Sequence, residues 1–261
     1  MKILKTLSAV LVFVLCAAVA AAQTETPADL FRKGTELYVA KDYAKAQESF
    51  KQSLDQDPNN SVTITNLALT EFQLGNKALA IGLLRKALDI DPNLEVANAG
   101  LKFALTQMAI KEVPHQLESY ESLRAKLLQP IPLTGFLILS ALSLFSCGWV
   151  LLSYGGRRKK ALESETTLPG FPLIGTLLGA LFIAFTILLA LKIYDATVLR
   201  GTIIEEKVSV QTAPGDKAVV ILDLYGGMEV ISHKTEGDWV QITYPGSLTG
   251  WIKKSSLLMT R

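Results

Sequence analysis

The side chains able to do covalent or acid–base chemistry are few and scattered. Two histidines, His115 and His233, and two cysteines, Cys16 and Cys147, are the whole supply of imidazole and thiol in 261 residues. Both cysteines lie inside apolar runs, so no disulfide framework, CxxC redox pair or four-ligand zinc site assembles from them. His233 has no cysteine in its own segment to activate, and His115 stands beside Pro114, apart from any obvious serine–acid pair. Glu205 and Glu206 are adjacent; on a strand they face opposite ways and cannot share a proton in acid–base work. The stretches GxxxxGK[ST], HExxH and GxSxG are absent. No catalytic residue, cofactor site or metal site is expected, and the protein is expected not to be an enzyme. The chemistry left is recognition by aromatic and apolar side chains.

Composition shows what must position those side chains. Hydrophobic residues make up 49% of the chain and charged residues 19%, and mean hydropathy is +0.32. A net charge of +2 is far from the polycation that bulk nucleic-acid binding requires. The apolar surplus is concentrated in three runs. The first, residues 7–22, follows the basic start Met1-Lys2-Ile3-Leu4-Lys5 and ends in Ala20-x-Ala22, the parts of a secretory signal peptide over 1–22. A lipoprotein reading would acylate Cys16, but Leu15 before it is not small. The other two runs, 133–153 and 171–191, contain no charged residue, and about 21 residues at about 1.5 Å each match a hydrocarbon core of about 30 Å. They are expected as transmembrane helices over 132–154 and 171–191. Arg157-Arg158-Lys159-Lys160 places the loop 155–170 in the cytoplasm by the positive-inside rule. Both flanking segments then lie on the opposite side, where the signal peptide independently sends the first of them. Gly175-x-x-x-Gly179 has the spacing of a close helix–helix contact, or is a chance placement of a common residue.

Residues 27–94 divide into two units with a period of 34, 27–60 and 61–94: Asp55-Gln56-Asp57-Pro58 returns as Asp89-Ile90-Asp91-Pro92, and Ala46 and Leu54 return as Ala80 and Leu88. Leu30, Gly34, Leu37, Ala46, Phe50, Ser53 and Pro58, then Ile64, Leu67, Ala68, Ala80, Leu84, Ala87 and Pro92, alternate large and small as two crossing helices need. The pattern resembles the tetratricopeptide repeat, departing from it at Lys33 and Glu71. A further helix from Leu94 is expected as a cap, ending the domain at residue 112, and a polar juxtamembrane helix at 113–131. The resemblance implies a concave, partner-binding face made by the first helix of each unit, here Phe31, Thr35, Tyr38, Thr65, Leu69 and Phe72. Some relatives hold a terminal carboxylate there with a basic clamp; only Asn66 matches it, while the basic positions hold Phe31, Val96 and Gly100. An apolar or mixed partner surface follows. The competing reading is that these side chains only cover the cap.

Beyond the third run the texture turns to short β-rich segments at 208–210, 218–222, 229–232, 239–243 and 250–252, with Gly237-Asp238 and Pro245-Gly246 as turns. Val208-Ser209-Val210 leading to Pro214, Gly227-Met228-Glu229-Val230, Trp239-Val240 and Gly250-Trp251-Ile252 resemble the bacterial Src-homology-3-like (SH3-like) domain over 196–261. That resemblance implies a small all-β barrel and a recognition module for peptides or cell wall, with Tyr225, Tyr244 and Trp251 lining a groove. Trp239 is expected in the core; Trp251 fits either groove or core.

The fold class is thus a multidomain membrane protein: an all-α repeat solenoid, a two-helix hairpin and an all-β barrel. This order of parts is similar to the BatE-type proteins of bacterial aerotolerance operons. The resemblance implies an inner-membrane scaffold with both terminal domains periplasmic, working with von Willebrand factor A-domain membrane proteins and a MoxR-type ATPase in aerotolerance or envelope stress. The alternative is a peptidoglycan-binding sensor or adaptor for a wall enzyme. Nucleic acid is not an expected partner.

Overall fold

A computed structural model describes residues 25–108, 123–215, 218–244 and 248–260. The expected signal peptide, most of the expected juxtamembrane helix and the Pro245-Gly246 turn lie outside them.

The amino-terminal part is five helices: α1 (Pro27–Val39), α2 (Tyr43–Gln56), α3 (Ser61–Gln73), α4 (Lys77–Ile90) and α5 (Glu95–Thr106). Local chemistry sets their starts. Thr26 Oγ1 accepts from the Asp29 amide, Asp42 from Lys45 and Asn60 from Thr63, each satisfying an amide that the helix itself leaves open. Pro27 stands at the first turn of α1, where its missing N–H is not needed. Hydrogen bonds from Thr26 and from Lys45 hold the Asp29 and Asp42 carboxyls below their ordinary value.

The 34-residue pattern becomes packing. Ala46, Phe50, Ile64, Leu67, Ala68, Leu84 and Ala87 are buried in one core, and Leu30 and Ala80 are buried as well. Gly34 is small because α1 crosses the Phe50 ring there: a Cβ would sit 2.7 Å from Cε1. Of the two departures, Lys33 is exposed and pairs with Glu25 at 3.1 Å. Glu71 is buried at 1% exposure, with Gln47 donating to it at 2.6 Å, Asn76 at 2.7 Å and Lys51 at 3.8 Å. A polar knot thus ties α2, α3 and the turn before α4 where an aromatic ring is usual.

Two long helices follow, α6 (Leu133–Glu163) and α7 (Leu173–Thr197), both long and apolar enough to cross a membrane. They pack antiparallel. A Cβ on Gly175 would lie 3.2 Å from Val150, and one on Gly179 would lie 3.6 Å from the Cys147 sulfur, so the paired glycines do sit at the close approach. Cys147 fills that approach, its thiol 3.5 Å from the Gly175 carbonyl. The basic cluster is not in a loop: α6 continues through Arg157–Lys160, and only residues 164–172 connect the helices. Gly155 and Gly156 do not stop it, because an established helix propagates past a cost of about 1 kcal/mol per glycine.

The carboxy-terminal part is a seven-stranded antiparallel sheet: β1 (Arg200–Ile203), β2 (Lys207–Gln211), β3 (Val220–Tyr225), β4 (Glu229–Glu236), β5 (Trp239–Thr243), β6 (Thr249–Lys253) and β7 (Leu257–Met259), in the order β3-β2-β6-β5-β4-β1-β7. Ile203, Val210, Leu224, Val230, Val240, Ile242 and Ile252 form its core. Among the described residues β3 and β7 end the ladder, so the sheet is open, where a closed barrel was expected. Strands β1 and β7 were not foreseen. They pack against α4, which brings the two terminal parts together.

Glu71→Ala should leave the Gln47 and Asn76 amides without their acceptor, at about 1–3 kcal/mol. Amide exchange in α2 and α3 should accelerate by about tenfold or more, while α6 and α7 stay unchanged.

Candidate functional site

The first helices of the repeats, α1 and α3, and the cap α5 lie side by side and form one face. Of the residues expected there, Phe31 is half-buried, its ring centroid 5.9 Å from that of Phe50, and Tyr38 meets Tyr43 edge-on at 5.4 Å. Thr35 donates to the Phe31 carbonyl at 2.9 Å. Leu69 and Phe72 are half-buried; a Cβ on Gly100 would come 3.5 Å from Leu69. Thr65 belongs to the interior: it is 2% exposed and its hydroxyl donates back to Ser61 O at 2.7 Å. It presents nothing to a partner.

The residue missed is Phe103, on α5. Its ring is 5.5 Å from Phe72, and the residue is 55% exposed. The signal was available: Thr35, Leu69 and Phe103 are separated by the same 34 residues. Treating α5 only as a cap hid this third member of the column. Lys77 lies 6.0 Å from the Phe72 centroid, so the face is apolar at its centre with a cation at its rim.

Residues 37–102 match the tetratricopeptide repeat family. Over that span the helical pairs fit the tetratricopeptide repeat. The match opens inside α1 and closes inside α5, so it covers the tetratricopeptide core and most of the helix that carries Phe103. No curated protein matches the chain.

On the sheet, two of the three expected groove residues, Tyr225 and Trp251, lie at opposite ends of β2. Tyr225 ends the edge strand β3, opposite Lys207 at the start of β2, whereas Trp251 lies opposite Gln211 at the far end of β2. Tyr244 follows β5, and burial raises its phenol above the usual value. Trp251 is 6% exposed, with the Lys234 ammonium 5.1 Å over its ring. It belongs to the interior. Trp239, expected inside, is the half-exposed one: with Asp238, Lys253, Lys254, Ser255 and Leu257 it lines an open recess. Lys253 Nζ lies 5.9 Å from its ring. Val240 and Ile242 take the inward positions of β5 and leave Trp239 on the other alternation, which is why it stands outside the core.

A third grouping was not visible in the sequence. Arg124, Asp195 and Arg200 meet where the helical hairpin joins the sheet. Arg124 Nε donates to Asp195 at 2.9 Å and Arg200 to the same oxygen at 3.2 Å, while Glu229 lies 3.7 Å from Arg124. Lys192 donates to the Leu128 carbonyl at 2.5 Å. Burial lowers the Arg85 guanidinium below the ordinary arginine value, Glu229 opposing the shift and Arg124 adding to it; arginine stays charged all the same.

Asp195→Ala should be among the most damaging single changes in the chain. It leaves two buried guanidinium groups without their shared carboxylate, at about 3–5 kcal/mol. Limited proteolysis of the detergent-solubilised protein should then cut between residues 197 and 200 at least tenfold faster.

Proposed function

We propose that this chain is a non-enzymatic, membrane-anchored scaffold that captures partner proteins on its tetratricopeptide face. The observation that carries the proposal is Phe103, more than half exposed and packed at a tilt against Phe72 on that face. A large aromatic left in water at the middle of an apolar surface calls for a partner. The apolar lining and the lack of the basic clamp favour an apolar or mixed segment over a terminal carboxylate. The two apolar helices support a membrane anchor; the basic cluster Arg157–Lys160 and the expected signal peptide favour an inner membrane with both terminal domains periplasmic and residues 164–172 cytoplasmic. The open sheet, with its Gly227–Val230 and Gly250–Ile252 steps, is read as an SH3-like module. Taken with the order of parts, this supports a BatE-type role in aerotolerance or envelope stress, beside von Willebrand factor A-domain membrane proteins and a MoxR-type ATPase. A second reading, a peptidoglycan-binding adaptor, is favoured by one feature, the half-exposed Trp239 among Lys253, Lys254 and Asp238.

An aromatic anchor in such a pocket typically contributes about 2 kcal/mol or more, about thirtyfold in affinity. Phe103→Glu should therefore remove the A-domain partner from material co-purified out of solubilised membranes. Asp55→Lys, on the exposed side of α2, should leave it, as should Trp239→Ala. Loss of murein-fragment binding in Trp239→Ala, with Phe103→Glu unaffected, would favour the second reading instead.

Topology has its own check. In a Cys147→Ser background, Asp238→Cys should react with a membrane-impermeant thiol reagent once the outer membrane is permeabilised. Ser164→Cys should not react, and the reverse pattern would overturn the orientation.

A further inference from the structure

The second helices of the two repeats can be compared position by position, 34 residues apart. Both turn an alanine and a large apolar residue inward, Ala46 and Phe50 in α2, Ala80 and Leu84 in α4. A different set of positions holds Ala44, Gln47, Glu48 and Lys51 in α2 but Ala78, Ile81, Gly82 and Arg85 in α4. Apart from Ala44 the first set is polar, and Glu48 and Lys51 are exposed. In the second set the polar pair at the middle has become Ile81-Gly82, and both are buried. In α2, Gln47 and Lys51 turn to Glu71 of α3; in α4, Ile81 joins the repeat core and also meets Gly227, while Arg85 turns to the sheet.

What covers the changed face is the carboxy-terminal sheet. A Cβ on Gly82 would lie 2.9 Å from Leu258 Cδ2 and 3.4 Å from Thr202 Cβ. Gly226 leaves room for Ala78, where a Cβ would come to 2.7 Å, and Gly227, at φ +83°, leaves room for Ile81 at 3.0 Å. Leu258 packs into the repeat core. Arg85 donates to Thr202 Oγ1 at 2.9 Å and to the Gly227 carbonyl at 2.7 Å. The seam thus carries a glycine on each side at the points of closest approach, an apolar plug, and a guanidinium that satisfies a turn carbonyl. Those are the features of a fitted interface.

We propose that the outer face of α4 is a docking site built for this chain's own carboxy-terminal sheet. The two terminal domains are then one body, and both lie on the same side of any membrane that α6 and α7 cross. The first statement stands independently of the function proposed above; the second rests on the membrane reading of the hairpin.

The seam contains its own test. A Cβ at position 82 would be 3.6 Å from the Leu258 Cβ, inside the range of about 3.5–4.5 Å in which disulfides form. Leu258→Cys also removes the methyl group that a Cβ at 82 would strike. In full-length protein lacking its native cysteines and carrying a protease site within residues 164–172, Gly82→Cys with Leu258→Cys should cross-link in native membranes under mild oxidation. After cleavage the two halves should migrate together without reductant and apart with it. Gly82→Cys with Thr202→Cys is the second pair and should behave alike. Failure of both pairs overturns the proposal, as does a cross-link that joins two chains into a dimer. A cross-link together with reversed thiol labelling would refute the proposed orientation and leave the docking intact.

Discussion

The Asp195 carboxylate, 3% exposed, sits between two guanidinium groups, and the course of the chain turns on that contact. Its partner Arg124 lies 71 residues earlier, on the segment leading into α6, while Asp195 lies near the end of α7. The ion pair therefore closes the hairpin at the end where the chain both enters and leaves it. Arg200, the first residue of β1, shares the same oxygen, so the sheet begins at a fixed place only three residues after α7 ends. Removing three charges from water is expensive, and an apolar trio of the same shape would be no less stable. An ion pair adds direction: it accepts one register of α7 against the segment before α6, where apolar contacts would accept several.

From that fixed start the sheet reaches the repeats through small residues. Gly34 admits Phe50 within the first repeat, Gly175 and Gly179 admit Val150 and Cys147 within the hairpin, and Gly82, Gly226 and Gly227 admit one another's neighbours at the seam. Each close approach excludes water and gathers dispersion contacts that a larger side chain would hold apart. The same device serves in the solenoid, in the apolar hairpin and between domains, because close packing depends on atomic radii whatever the surrounding solvent.

The sequence was most legible where the signal was local or periodic. Period 34 placed the helical pairs, and the β-rich run Trp239–Thr243 coincides with β5 at both ends. It was least legible where a residue's role is conferred by something distant. Arg200-Gly-Thr-Ile has little strand character of its own; it is a strand because β4 and β7 flank it. Glu71 looked like a defect in the repeat until Gln47 and Asn76 gave its oxygens partners. Trp239 and Trp251 both sit in β-rich runs, and only the sheet's pairing decides which alternation faces the core. Phe103 was legible and overlooked, since the period that located Leu69 extends to it unchanged.

Among the described residues, the sheet covers one side of the repeats and leaves the face with Phe72 and Phe103 uncovered. The outer side of α4 is taken by β1 and β7, and α5 covers the open end of the second pair. The face of α1, α3 and α5 remains, held at one side by the polar knot around Glu71 and at the other by the seam. A face supported in this way would lose little conformational freedom on meeting a partner, and rigid surfaces bind more tightly for the same contact area. Its orientation is set as well. The charged cluster fixes the sheet to α7, and the seam fixes the sheet to α4. A segment lying across Phe72 and Phe103 would therefore be held at a defined angle to the hairpin, which a repeat domain on a slack tether could not do.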